Sequence, residues 1–174
     1  MERGERVDTS SAYYARCVKK LESLGLPTSG WVCVEVIDLE EAEFTCELCG
    51  HEGIRYVHVM MHDACSRKLS VGCICAGIME GNILAAKERE HEVRKRSQRK
   101  HNYMKRQWQE ISEDCWRLKF RRRDISIQKC EFRGTPFFTV CISGDQYQWK
   151  DNRRMTSFLT AQHFVFDLLE DYYA

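Results

Sequence analysis

The chain has 174 residues, 43% of them hydrophobic and 11% aromatic, with only 2 prolines and 10 glycines. That composition excludes collagen-like, low-complexity and wholly disordered classes, and its longest apolar runs, such as Val57 to Met61, are far too short to span a bilayer. The formal net charge of +1 conceals an asymmetry: Lys87 to Arg123 holds 14 Lys plus Arg against 6 acids, a local +8, which leaves −7 on the remainder. Only the basic segment therefore argues for a polyanionic partner.

The opening, Met1-Glu2-Arg3-Gly4-Glu5-Arg6, is charged and has no apolar stretch behind it. This predicts no secretory leader and a reducing cytoplasm, in which the 10 cysteines are thiols or metal ligands. Thr9, Ser10 or Ser11 is the expected N-cap of a first helix carrying Tyr14, Cys17, Val18 and Leu21 as a core stripe, and Gly25 with Pro27 ends it. Trp31 to Ile37 is β-branched and reads as a strand, as does Arg55 to His62. From Ile78 to Lys119 nothing breaks a helix, and Met104, Trp108, Ile111, Cys115 and Leu118 form an amphipathic seam, with a bend expected near Ser97 to His101. Ile125 to Phe132, Pro136 to Ile142 and Gln146 to Trp149 read as three strands of an antiparallel sheet. Arg133-Gly134 and Ser143-Gly144-Asp145 are their turns. Thr156 or Ser157 caps a final helix. The expected class is α+β, with residues 1–86 as helix plus zinc module and 87–174 as basic helix plus β-β-β-α tail, packed as one compact unit.

The strongest chemical signal is Cys46-Glu47-Leu48-Cys49-Gly50, with Cys73-Ile74-Cys75 beginning 23 residues after Gly50. A CxxC knuckle followed by glycine converges two thiolates on one ion, and a second close pair completes a tetrahedral set. On a helix, residues two apart diverge by about 200°, so both sulfurs of a CxC pair reach one ion only from extended chain. Cys73 to Cys75 is therefore expected on a strand end or tight turn, with a helix starting at Ala76 or Gly77. The expected cofactor is one structural zinc on Cys46, Cys49, Cys73 and Cys75. His58, His62 or Cys65 replacing one thiolate, and an unmetallated thiol set, are the competing readings. Cys17, Cys33, Cys115, Cys130 and Cys141 lie in apolar stretches and read as small buried residues.

These motifs, with Ile54-Arg55-Tyr56-Val57-His58-Val59-Met60-Met61-His62 and Val71-Gly72-Cys73-Ile74-Cys75-Ala76-Gly77-Ile78-Met79-Glu80, resemble a family of small zinc-binding proteins. Its members are encoded by bacteria, phages and conjugative elements. The resemblance covers Trp31 to Glu80 specifically and the remainder more loosely. It implies a zinc module, a bacterial host cytoplasm and no established enzymatic activity. Family members often carry a second histidine where this chain has Val59. A looser similarity is to zinc-ribbon and treble-clef folds, including HNH nucleases. Those need an acid/histidine pair that His58-Val59 lacks, and Asn82 alone is a weak stand-in.

Arg94, Lys95, Arg96, Arg99, Lys100, Lys105 and Arg106 form a run without an acid, and Arg121, Arg122 and Arg123 add a second cluster. Such a run suits phosphates or an acidic or nucleoprotein partner; its alternative is pairing with the protein's own acids. The expected function is non-enzymatic binding, occluding a protein or ribonucleoprotein, in its sharpest form as an anti-CRISPR inhibitor of a guided nuclease. The alternatives are a DNA- or RNA-binding accessory protein and, more remotely, an HNH-like nuclease. No membrane partner is expected.

Overall fold

A computed structural model describes residues 11–173. Thr9 and Ser10, two of the three candidate caps, lie outside the described residues. The chain is α+β and divides into two units, Met1–Gln98 and Arg99–Ala174.

In the first unit, α1 (Ser11–Ser23) buries Cys17 and Leu21 and packs Tyr13 beside them, whereas Tyr14 of the expected stripe is exposed. Gly25, at φ 65°, ends the helix, and Leu26 N–H donates to Leu21 O at 2.9 Å. Strands β1 (Val32–Asp38), β2 (Tyr56–Met61) and β3 (Leu69–Val71) form an antiparallel sheet in that order. Its register places His58 between Val36 and Val71. Helix α2 (Cys73–Glu80) follows directly and is buried over Cys75 to Met79. Gly81, at φ 77°, stops α2, and Asn82 caps α3 (Ile83–Met104) by accepting from Ala85 N–H at 3.0 Å. The elbow is tight: a Cβ on Gly77 would lie 2.5 Å from Ile83 Cα. Asp38, Arg55 and Ser97 tie the ends of β1 and β2 to α3. The Arg55 guanidinium donates to both carboxylate oxygens at 2.7 and 3.0 Å, and the Ser97 hydroxyl also donates to Asp38.

The expected helix to Lys119 is corrected. After Met104 the chain becomes β4 (Gln109–Ser112) and β5 (Cys115–Phe120), joined by a hairpin with Asp114 at φ 63°. The seam residues Ile111, Cys115 and Leu118 thus lie on strands, where β-branched and aromatic neighbours fit a pleated surface. With β6 (Arg123–Phe132), β7 (Thr135–Ile142) and β8 (Asp145–Tyr147) they make a five-stranded antiparallel meander, in place of the three strands expected. Arg121 and Arg122, at φ 49° and 60°, form the turn between β5 and β6. A two-stranded ribbon, β9 (Trp149–Lys150) and β10 (Arg153–Arg154), precedes α4 (Phe158–Asp171). Ser157 caps α4 by accepting from Thr160 N–H, and Val165 and Leu169 pack into a core with Ile125, Ile127, Val140 and Ile142. No helix among the described residues is long and apolar enough to cross a membrane.

Candidate metal centre

The knuckle is built by its backbone. Phe44 and Ile54 bridge, Cys46 N–H donates to His51 O at 2.8 Å, and Gly50 N–H closes back on Cys46 O at 2.9 Å. Gly50 stands at φ 73°, which a side chain would strain, and the buried Leu48 anchors the turn between the two thiols. The first turn of α2 brings Cys75 to this loop. The sulfurs of Cys46, Cys49 and Cys75 all lie within 4.8 Å of one another, and Gly72 N–H donates to Cys46 Sγ at 3.4 Å.

Cys73 is not among them, which corrects the four-cysteine set. Helix α2 begins at Cys73 rather than at Ala76. Residues two apart on a helix diverge by about 200°, so Cys73 turns away while Cys75 turns in. Cys73 instead joins His58 of β2 and Glu90 of α3, whose donor atoms also lie within 4.8 Å of one another. Each of the two sets could hold a metal ion.

Beside the thiol set stand two residues of α1. Cys17 Sγ is 4.0 Å from Cys75 Sγ, and the Tyr13 hydroxyl is 3.1 Å from the same sulfur. Neither was legible as a site residue. Cys17 reads as core, and it is indeed 3% exposed; no spacing rule links it to a knuckle 29 residues on. Glu90 was missed for a similar reason, being one acid in a charged helix. Of the alternative ligands, His58 belongs to the second set. His62 packs on Trp31 with ring centroids 5.4 Å apart and accepts from Ala64 N–H, and neither it nor Cys65 enters either set. Asn82 is spent as the cap of α3.

The sulfurs perturb one another strongly. Hydrogen bonds from the Cys46 and Cys75 thiols hold Cys49 far below the usual thiol range. Cys75 is pushed up, first by Cys17 and then by Cys46, Cys49 and burial. Crowded thiols thus share negative charge unevenly, and a dication is the counter-charge that lets all of them ionise. Burial, reinforced by the Glu90 carboxylate, pushes Cys73 up to about 12. Burial also pushes the Glu90 carboxyl up, but the neighbouring His58 ring and Arg94 guanidinium outweigh that and hold it low. An open pocket of about 1110 Å³ is lined by the three thiols of the first set and by Cys73 and Glu90 of the second, with Arg16, Lys20, Arg55 and Arg94 on its walls.

The basic residues are more neutralised than their run suggests. Arg94 pairs with Glu90 and Lys95 with Glu92 along α3, while Arg99 and Arg121 share Glu170 at 2.6 and 2.9 Å. Arg96 also has a partner. Arg106 lies over the Phe120 ring, and Arg123 over the Tyr173 ring. Lys100, Lys105 and Arg122 have no ion-pair partner among the described residues. Set against protein-family models, curated proteins and solved structures, the chain matches none.

Proposed function

We propose that this chain is a non-enzymatic, zinc-stapled binding protein that acts by occupying a macromolecular partner. One structural zinc is held by Cys46, Cys49 and Cys75, with Cys17 as the fourth thiolate in a treble-clef-like module. The observation that carries the reading is the convergence of a knuckle and a helix start on one point, with a fourth sulfur 4.0 Å from Cys75. Sulfurs about 2.3 Å from a tetrahedral zinc stand about 3.8 Å apart, so Cys17 is within a small side-chain adjustment of the fourth corner. A closed thiolate set leaves no position for substrate, which makes its role the holding of surfaces rather than chemistry. The resemblance to proteins of phages and mobile elements favours a host-defence nucleoprotein as the partner, sharpest as anti-CRISPR inhibition of a guided nuclease.

Cobalt substitution tests the staple. The first equivalent is expected to show intense thiolate-to-cobalt charge transfer, weakened in Cys17→Ser, abolished in Cys46→Ser and kept in Cys73→Ser. A first equivalent without that band refutes the staple. Pull-down against CRISPR effector nucleases tests the partner, with loss of target-DNA binding as the expected result; effectors that keep full DNA binding refute the inhibitor reading. Lys100, Lys105 and Arg122 favour a second reading, a nucleic-acid-binding accessory protein. A gel shift at low salt is its test.

A further inference from the structure

We infer that His58, Cys73 and Glu90 form a second metal site, distinct from the thiolate staple, which holds a divalent first-row ion with one coordination position open to the pocket. The inference does not depend on the function proposed above.

Three elements bring the donors together. His58 is fully buried on the middle strand of the sheet, Cys73 opens α2, and Glu90 lies two turns into α3. His58 Nε2 and Glu90 Oε2 stand 3.4 Å apart. That is long for a hydrogen bond, whose usual span is about 2.7–3.2 Å. It fits two donors sharing one ion, since bonds of about 2.0–2.1 Å at a tetrahedral angle separate N and O by about 3.3 Å.

The residues around the donors are arranged as supports for ligands. Cys33 Sγ lies 3.9 Å from His58 Nδ1, and its thiol donates onward to Glu35 O at 3.4 Å. With the proton on Nδ1, the ring donates to Cys33 and turns its Nε2 lone pair toward Glu90 and Cys73. In that tautomer a cation between the lone pair, the carboxylate and the thiolate satisfies all three donors at once. Arg94 donates to the other Glu90 oxygen, Oε1, at 3.0 Å, which leaves Oε2 for the ion. Arg94 is itself stacked over the Tyr56 ring at 5.3 Å.

One imidazole, one thiolate and one carboxylate are a mixed donor set of the kind that keeps a fourth position open, unlike a tetrathiolate. Cys73, Glu90, Tyr56, Arg55 and Arg94 all line the pocket, so the open position faces cations on the pocket wall. The ligand class that suits it is water or a small anion, a carboxylate or a phosphate.

The test is titration of the full-length protein with Co²⁺ after removal of bound metal, read by absorption, with Zn²⁺ competition for affinity. Wild type is expected to take two equivalents. The first carries thiolate charge transfer; the second gives weaker bands with a single thiolate. Glu90→Gln and Cys73→Ala are expected to take one equivalent and keep the first spectrum, with circular dichroism verifying the fold. His58→Gln should behave alike, and the other two variants carry the test if it does not fold. Inorganic phosphate is expected to shift only the second set of bands. A wild type saturating at one equivalent, or variants that retain two, would overturn the site; bands indifferent to phosphate would overturn the open position.

Discussion

Asp38 should titrate far below an ordinary aspartate, and the elements it ties together should loosen as it protonates. It accepts both Arg55 hydrogen bonds, the Ser97 hydroxyl and the Glu40 N–H, so four donors favour its charged form. The Arg55 hydrogen bonds lead, outweighing the opposing effect of burial, and the carboxyl falls from 3.8 to about 2. That difference corresponds to about 2.4 kcal/mol if none of it is screened. The Asp38 side chain is only 15% exposed but that of Arg55 is 39% exposed, so solvent reduces the contribution to about 1–1.5 kcal/mol. A folded-state pKa below the unfolded one means the stabilisation is complete above about pH 4–5 and is lost as pH falls toward 2, with just under half gone by pH 3. Carboxyl carbon NMR of the folded protein reads the midpoint directly. Urea unfolding of wild type and Asp38→Asn at pH 6.5 and pH 3 reads the energy. The gap between the two proteins should narrow at the lower pH, and loss of metal should affect both alike. A midpoint near 3.8, or a gap unchanged between the two pH values, would refute the reasoning.

Gly77→Ala should destabilise although alanine is the better helix former, because its Cβ would meet Ile83 Cα at 2.5 Å and push α3 off α2. Overpacking of this kind amounts to about 1–3 kcal/mol, measured by thermal or urea unfolding. Tyr103 is 2% exposed between Phe120 and Phe166, and its hydroxyl has no hydrogen-bond partner among the described residues. Removing an orphaned buried hydroxyl relieves a desolvation penalty of about 1–3 kcal/mol, so Tyr103→Phe should be at least as stable as wild type; a loss above about 1 kcal/mol would show that the hydroxyl is bonded.

The CxC pair shows where local reasoning reached and where it stopped. Residues two apart on a helix do diverge, and α2 begins at Cys73 itself rather than after Cys75. Gly72 in extended conformation ends the strand-side geometry, and Ala76 N–H already bonds to Gly72 O at 3.0 Å. One early helix start therefore separates Cys73 from Cys75 and assigns them to different donor sets. The knuckle, the first two strands and the Ser157 cap were legible, because each rests on residues adjacent in sequence. Cys17, Glu90 and His58 reach their sites through tertiary packing, which no spacing encodes. Strands β4 and β5 were hidden for another reason. Their apolar residues recur at three and four as well as along strands, and Arg121-Arg122 occupies a turn that ordinarily advertises itself as Asn-Gly.

That turn joins the charge pattern to a quantitative test of the nucleic-acid reading. Arg122 holds φ 60° without glycine, where a left-handed L-residue is disfavoured by about 1 kcal/mol. Arg122→Gly should therefore stabilise the protein by a few tenths to about 1 kcal/mol, the gain reduced by the flexibility of glycine in the unfolded chain. The same substitution removes one of three basic groups in the two clusters with neither an ion pair nor a ring contact among the described residues. Each neutralised phosphate contributes about −0.9 to the slope of log affinity against log salt. If only Lys100, Lys105 and Arg122 meet phosphates, the slope is about −2.7, a loss of about 40-fold between 50 and 200 mM salt. If all ten bases of the two clusters engage, the slope is about −9 and the loss about 10⁵-fold. The ion pairs to Glu90, Glu92 and Glu170 favour the shallow slope, because phosphates would have to displace carboxylates already at 2.6–3.0 Å. Binding to single- and double-stranded DNA across that salt range, for wild type and Arg122→Gly, separates the cases. A slope near −9 would show that the pairs open on binding. A shallow slope that falls by about one in the variant would confine any nucleic-acid contact to those three residues.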